Sequence, residues 1–313
     1  MRIAGTSYLD SMVNQMNLLS TQLYTLQNQA STGQAITAPS DDPAGMAEAL
    51  NLQADNSAVT QYAQNISTLQ TQATIVGNAL TSLQTIAEKA SEIATSADGS
   101  ATPAQLQADA TQVTQLIQQA AQLMNTQDGS QYVFGGTASS GAPFTVNTDA
   151  DGNVTAVTYS GNADVAQSEI AQNVTLAATA PGENNTGSGP RGVISDSRYG
   201  ADFFNHLISL QNNLLSGNTA AISSTDAPNL TNDDNNIIYQ VAANGATQTQ
   251  LTAAASFAST QQSGLQTSLT NVAGADLTQT LTQLSQTQNS YQAALETSSQ
   301  FMQMQQYVLS LLP

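Results

Sequence analysis

Residues 12–33 read MVNQMNLLSTQLYTLQNQASTG, and in them Met12, Met16, Leu19, Leu23, Leu26 and Ala30 step by 4, 3, 4, 3 and 4. That is the 3.5-residue period of a coiled-coil seam. Between the seam positions stand Asn, Gln, Ser and Thr rather than Glu and Lys. Gly33 ends the segment, in the place glycine takes just past a helix. The far end of the chain repeats the pattern. Leu281, Leu284, Gln288, Tyr291, Leu295, Ser298, Met302, Gln305, Leu309 and Leu312 alternate threes and fours without a slip.

Between these ends the elements follow in order. Residues 34–45, QAITAPSDDPAG, form a loop of turn formers in which Asp42 and Pro43 suit a helix N-cap and first position. A long helix is predicted from Pro43 to Ser96, its stripe running Val59, Tyr62, Ile66, Leu69, Ala73, Val76, Leu80, Leu83, Ala87, Ala90 and Ala94. Residues 97–101 make a turn, and Thr102-Pro103-Ala104-Gln105 is a capping box. The next helix is predicted to reach about Gln127, with Leu106, Ala110, Val113, Ile117, Ala120 and Met124 on one face.

Strand character then takes over. Tyr132 to Phe134 is a short strand-like run closed by Gly135-Gly136. Residues 144–147 and 154–159 are β-branched and aromatic, and Thr148 to Asn153 between them signals a hairpin. Residues 164–176 suit one or two further strands, and 181–192 read as a flexible loop. Helix returns near Asp202, residues 216–236 are polar and turn-rich, and a second long helix pair is predicted from about Asp233. The fold class expected is mainly α: a discontinuous long-helix coiled-coil bundle from both chain ends with a small inserted β domain. The divisions read from the sequence are 1–45 (heptad helix and loop), 46–137 (long-helix rod core), 138–198 (inserted β-rich outer domain), 199–275 (helical return of the core) and 276–313 (C-terminal heptad helix).

Composition narrows function. Of 313 residues only 8% are charged; Lys and Arg number 4 against 22 Asp and Glu, a net charge of −18. The four cations are Arg2, Lys89, Arg191 and Arg198. Nucleic-acid binding needs many phosphate-neutralising cations, and anionic membranes repel such a chain, so neither is expected as a partner. Cys is absent, which excludes disulfides, thiolate metal sites and Cys nucleophiles. No apolar run is long enough to span a bilayer. The opening MRIAGTSYLD lacks the basic-then-apolar pattern of a cleavable signal peptide. A neutral polar coat keeps its hydration when carboxylates protonate. It fits an acid-tolerant setting, and compositional drift among secreted proteins explains it equally well.

Candidate chemistry is thin. Asp41 and Asp42 suit a helix N-terminus better than a metal or acid–base pair. Asp149, Asp151 and Asn153 begin like a calcium loop, but the sixth and twelfth positions are Val154 and Ser160 rather than Gly and an acid. A hairpin turn is expected there instead. His206, the single histidine, is expected on a helix surface. No Gly-x-Ser-x-Gly occurs and no nucleophile–base constellation emerges, so neither an enzyme nor a cofactor is expected.

Three stretches carry a resemblance: QASTGQAITAPSDDPAGMAEAL at 29–50, QYVFGGT at 131–137, and the closing 274–312. Together with the opening MRI they resemble flagellar axial proteins of the flagellin superfamily. YVFGGT and the overall size look more like the hook-associated, hook–filament junction type than the filament subunit. The pattern departs from the family at Gln34, where a basic residue is frequent, and at Pro313, where the chain stops early. The resemblance implies a helical core made of both ends and export through the flagellar type III channel with help from an export chaperone. It further implies extracellular assembly as a homo-oligomeric ring beside other hook-associated protein and flagellin. The residues expected at the assembly interface are Met12, Met16, Leu19, Leu23, Leu26, Leu281, Leu284, Tyr291, Leu295, Met302, Leu309 and Leu312. Alternatives are a flagellin-type filament subunit and, in another class, a secreted adhesin or enzyme acting through the β insertion.

Overall fold

A helix whose apolar residues occupy one stripe needs something to cover that stripe, and here the coverage divides the chain into two units. The computed structural model describes residues 2–97 and 99–310. One unit is drawn from the two chain ends, up to Ala58 and from Thr260 onward; the other is Val59–Ser259.

In the terminal unit, helix α1 spans Arg2–Thr32 and helix α7 spans Leu277–Ser310, and the two pack along each other. Gly33 ends α1 with φ +71°, the left-handed conformation that a side chain disfavours. The SDDPAG loop then turns the chain into helix α2, Pro43–Ser96, with the boundaries the sequence predicts. Asp42 Oδ1 accepts from Ala44 N at 3.1 Å and Gly45 N at 3.0 Å, the N-cap role expected of it. Asp41 Oδ2 closes the turn before it, accepting from Ala38 N at 2.9 Å and Thr37 N at 3.0 Å. Those amides hold the Asp41 carboxyl below the ordinary aspartate range. Gly45 is required by close approach: a Cβ there would lie 2.7 Å from Ile36 Cδ1 and collide with the capping carboxylate.

The second unit surrounds one hydrophobic core built from α2, helix α3 (Pro103–Met124), helix α4 (Phe203–Ser216) and helix α6 (Ala227–Ala273). On α2 every stripe residue predicted from Val59 to Ala94 is buried except Tyr62, which is partly covered. The predicted face of α3 is buried throughout. Its capping box forms as read, with Gln105 N donating to Thr102 Oγ1 at 3.3 Å and Thr102 N to Gln105 Oε1 at 2.8 Å. Each fully buried Leu, Ile or Phe contributes about 1.5–3 kcal/mol, and Phe134, Phe203, Leu207, Leu210 and Leu214 are of this kind.

Among the described residues the strands form four separate two-stranded antiparallel pairs. Strands β1 (Gln127–Asp128) and β2 (Gln131–Tyr132) follow α3, which ends at Met124 rather than near Gln127. The helix stops early where Asn125 turns its side chain to Phe144, further along the chain: it donates to Phe144 O at 2.8 Å and accepts from Phe144 N at 2.9 Å. Val133 and Phe134, predicted to continue a strand, lie beyond β2 and are buried in the core instead. The predicted hairpin is present as β3 (Phe144–Thr148) and β4 (Val154–Tyr159). Phe144 packs between Tyr159 and Phe204, with ring centroids 4.9 and 5.4 Å away. Strands β5 (Ser168–Ala171) and β6 (Val174–Leu176) fill the stretch read as further strand, and β7 (Ser195–Asp196) pairs with β8 (Ala201–Asp202).

One expectation is overturned. Residues 216–236 are mostly helical rather than turn-rich: α5 (Thr219–Ala221), a π-helical turn (Ile222–Asp226) and α6, which starts at Ala227. The chain breaks only at Gly217-Asn218. Asn and Asp in this stretch read as loop formers, but tertiary partners satisfy them. Asp226, fully buried, accepts from Ser209 Oγ and Asn213 Nδ2, both at 2.7 Å.

Candidate assembly surface

The candidate site is the pair of terminal helices, and local chemistry decides how they meet. Ala35 N donates to Ala273 O at 2.7 Å and Ala275 N to Gly33 O at 2.9 Å, so the end of α1 is tied to the start of α7. Gln34 and Gly274 form an antiparallel bridge between these hydrogen bonds. Asp276 then caps α7, accepting from Thr278 N at 2.9 Å and Gln279 N at 3.1 Å.

On α1 the predicted seam residues Met12, Met16, Leu19, Leu23 and Leu26 are all half-buried. On α7 the predicted residues separate. Leu284, Tyr291 and Ser298, spaced by seven, are half-buried. Leu281, Leu295 and Met302 belong to the parallel series one step away and are 55%, 44% and 53% exposed. The half-buried residues of α7 run Leu284, Thr287, Tyr291, Ala294, Ser298 and Phe301. The side that covers α1 is therefore rotated from the predicted stripe toward Thr287 and Ala294. Leu312 and the side chain of Leu309 lie outside the described residues.

Exposed apolar side chains continue onto α1, where Leu18 is 66% and Tyr24 73% exposed. A groove of about 640 Å³ runs along the pair, lined by Leu18, Leu19, Gln22, Leu26, Gln283 and Gln286. The hydroxyls on these helices are mostly turned inward to their own backbone, as Thr21 Oγ1 to Asn17 O (2.9 Å) and Thr297 Oγ1 to Ala293 O (2.8 Å). What the surface offers a neighbour is apolar area and amide groups with little charge.

The other residues singled out by sequence resolve structurally. Asp149 Oδ1 accepts from Asp151 N at 3.0 Å and Asn153 N at 2.8 Å, so its carboxylate closes the β3–β4 turn. Hydrogen bonds from Asn153 hold that carboxyl below its ordinary range. Among the described residues no group of three or more His, Asp or Glu is arranged to hold a metal ion. No described helix is long and apolar enough to cross a membrane. His206 is not on a helix surface: its side chain is 18% exposed and its Nδ1 lies 2.7 Å from Oδ2 of the buried Asp233. An isolated histidine in the sequence carries no signal of a partner 27 residues away.

Residues 7–139 match the family model for the bacterial flagellin N-terminal helical region. Over these residues the chain is similar to the flagellins. No curated protein matches the chain in sequence. Solved structures share the fold of a larger part of the chain. A structure described as a flagellar hook-associated protein from Vibrio parahaemolyticus superposes with TM-score 0.62 at 21% identity, over 75% of this chain and 100% of that one. Bacillus cereus FlgL superposes with TM-score 0.55 at 17% identity, over 70% of this chain and 99% of that one. The flagellar hook associated protein-3 of Legionella pneumophila does so with TM-score 0.59 at 14% identity, over 71% and 98% of the two chains. The flagellin-type region takes in most of α1, the SDDPAG loop, α2 and α3.

Proposed function

We propose that this chain is a structural subunit of the bacterial flagellum, of the hook-associated type that joins hook to filament. It works by packing rather than catalysis. The observation that carries the reading is the apolar series left open on paired terminal helices: Leu281, Leu295 and Met302 on α7, with Leu18 and Tyr24 on α1. Large apolar side chains in register on a helix demand cover from another protein. Sister copies and neighbouring axial proteins would supply it, in a homo-oligomeric ring outside the cell. The flagellin-type region and the near-complete coverage of hook-associated chains support this role. The scarcity of charge on these helices suits a surface that meets several different neighbours, because charged flanks normally restrict a coiled coil to one.

Delivery through the flagellar export channel with a chaperone follows from the same assignment. A flagellin-type filament subunit is the second reading, supported by the match over residues 7–139. Electron microscopy of the purified chain seeded on flagellar fragments separates the two. The junction role predicts short caps or no growth, and long filaments would replace it with the filament role. Cryo-imaging of intact hook–filament boundaries with a labelled copy tests position directly; label spread along the filament would refute the junction.

A further inference from the structure

Three segments of the second unit meet around the chain's single histidine: the loop 181–198, the start of α4 and the start of α6. Asp233 on α6 is completely buried. His206 donates through Nδ1 to Asp233 Oδ2 at 2.7 Å, and Asp202 N donates to Asp233 Oδ1 at 2.8 Å. The Asp202 carboxylate, at the head of α4, accepts from Asn205 Nδ2 at 2.8 Å. Asp226, from the π-helical turn, adds its negative charge on the His206 side. Glu183 is half-buried in the loop and faces the charge of Asp202. Tyr159 stands beside Glu183 and stays a neutral phenol, its hydroxyl pushed up to about 12 chiefly by burial. The other ion pair among the described residues, Arg198 with Asp196, lies within the loop, where Arg198 also donates to Gly189 O at 3.1 Å and Pro190 O at 3.3 Å. Of the groups in this cluster only His206 can carry a positive charge.

The loop is attached where these groups sit. Within the loop, Asn184 N donates to Ser195 O at 2.9 Å and Ile194 N to Gly182 O at 2.8 Å, and Phe203 N, at the start of α4, donates to Ile194 O at 3.0 Å. From α6, Asn236 Nδ2 donates to Gly192 O at 3.0 Å and Gln240 Nε2 to Arg191 O at 2.8 Å. Several carboxylates pressed together with one imidazole are compatible when protons are plentiful and repel when they leave.

We propose that Glu183, Asp202, His206 and Asp233 form a proton-operated clasp, which holds loop 181–198 against α4 and α6 in mildly acidic medium and loosens it as the medium turns alkaline. Burial, then the charge of Asp202, pushes the Glu183 carboxyl up from 4.5 to about 7. Burial alone would lower His206, but the Asp233 hydrogen bond and the surrounding carboxylates outweigh it and raise it above 6.5. Both groups bind protons more tightly folded than unfolded. The stability they contribute is therefore complete in acid and is lost as pH rises, from 4.5 through about 7 for Glu183 and above 6.5 for His206.

The test is thermal melting of the full chain at pH 5, 6, 7 and 8, with amide hydrogen exchange at Asp202 and Ile194. The wild type should melt lower and exchange faster at these two amides, after correction for intrinsic rates, as pH rises. Glu183→Gln should raise the melting temperature at pH 8 and leave it unchanged at pH 5. His206→Gln should lower it at pH 5 more than at pH 8. Net charge is controlled with Glu92→Gln, an exposed acid on α2 in the same unit. A wild-type profile flat from pH 5 to 8 overturns the clasp, as does an equal gain from Glu92→Gln and Glu183→Gln at pH 8.

Discussion

Ala275 N donates to Gly33 O across 2.9 Å, joining the residue that ends α1 to the residues that begin α7. This contact, with its neighbours Ala35 and Ala273, sets where the two terminal helices start against each other. Register along a helix pair is otherwise weakly specified here, because the seam contains Thr287 and Ser298 and few charges.

A side chain at Gly274 should disturb that join. A Cβ there would lie 2.3 Å from Thr270 O, which itself accepts from Gly274 N at 2.8 Å. Gly274→Val is expected to weaken the pairing of α1 and α7 by about 1–3 kcal/mol. Limited proteolysis should show the terminal helices cut faster while the α3–α4 region keeps its resistance; unchanged cleavage of the ends would contradict this.

Leu295 and Leu284 lie on one helix but should answer differently to the same change. Leu295→Asp alters a side chain already open to water, so the melting of the isolated chain should move by no more than about 0.5 kcal/mol. Incorporation into flagella, and with it motility, should nonetheless be lost. Leu284→Asp places a carboxylate in the half-buried contact with α1 and should destabilise the terminal unit itself, by about 1–3 kcal/mol. Complementation of motility and denaturant melting of both variants check the pair; normal motility with Leu295→Asp would remove the assembly surface.

Gln211 is completely buried and links three elements: Nε2 donates to Val154 O at 3.1 Å, and Oε1 accepts from Val154 N at 3.2 Å and Thr114 Oγ1 at 2.8 Å. Gln211→Leu keeps the volume but takes the side-chain partner from the Val154 N–H and carbonyl, while Thr114 Oγ1 keeps Ala110 O. A loss of about 1–3 kcal/mol is expected for the stranded groups, read from urea melts. Less than about 0.5 kcal/mol would mean that the β3–β4 hairpin shifts to find other partners.

Asp42→Ala removes the side chain that caps a helix of 54 residues. The local cost should be about 1 kcal/mol, the usual size for losing a cap. Asp42→Asn, which still accepts hydrogen bonds, should recover most of it in the same melting experiment.

At the acid end the sign of the pH dependence reverses. Burial would raise the Asp196 carboxyl, but hydrogen bonds from Arg198 and from the Gly192 amide prevail and hold it below 3.8. A depressed folded value gives stability that is complete above the unfolded value and lost as pH falls below it. Below pH 4 the chain should therefore lose stability, measured as a falling melting temperature. Combined with the loss above neutrality, this gives a maximum in mildly acidic solution. A melting temperature still climbing at pH 3 would contradict the role of Asp196.

Periodicity and capping residues by themselves determined the long helices of this protein. Pro43 to Ser96, the capping box at Thr102 and the hairpin about Asp149 are local arrangements, each specified by residues a few positions apart. The heptads likewise marked the half-buried seam of α1, and the flagellin-type stretch was legible in its own residues. Tertiary structure alone decided the rest. Residues 219–236 became helix because Ser209 and Asn213 satisfy Asp226 from α4, a partnership invisible to local propensity. On α7 the choice of Leu284 and Tyr291 for the covered side, leaving Leu281 and Leu295 in water, came from where α1 lies. A stripe read from one helix spans both sides of a seam, and only the position of the neighbouring helix determines which side it covers.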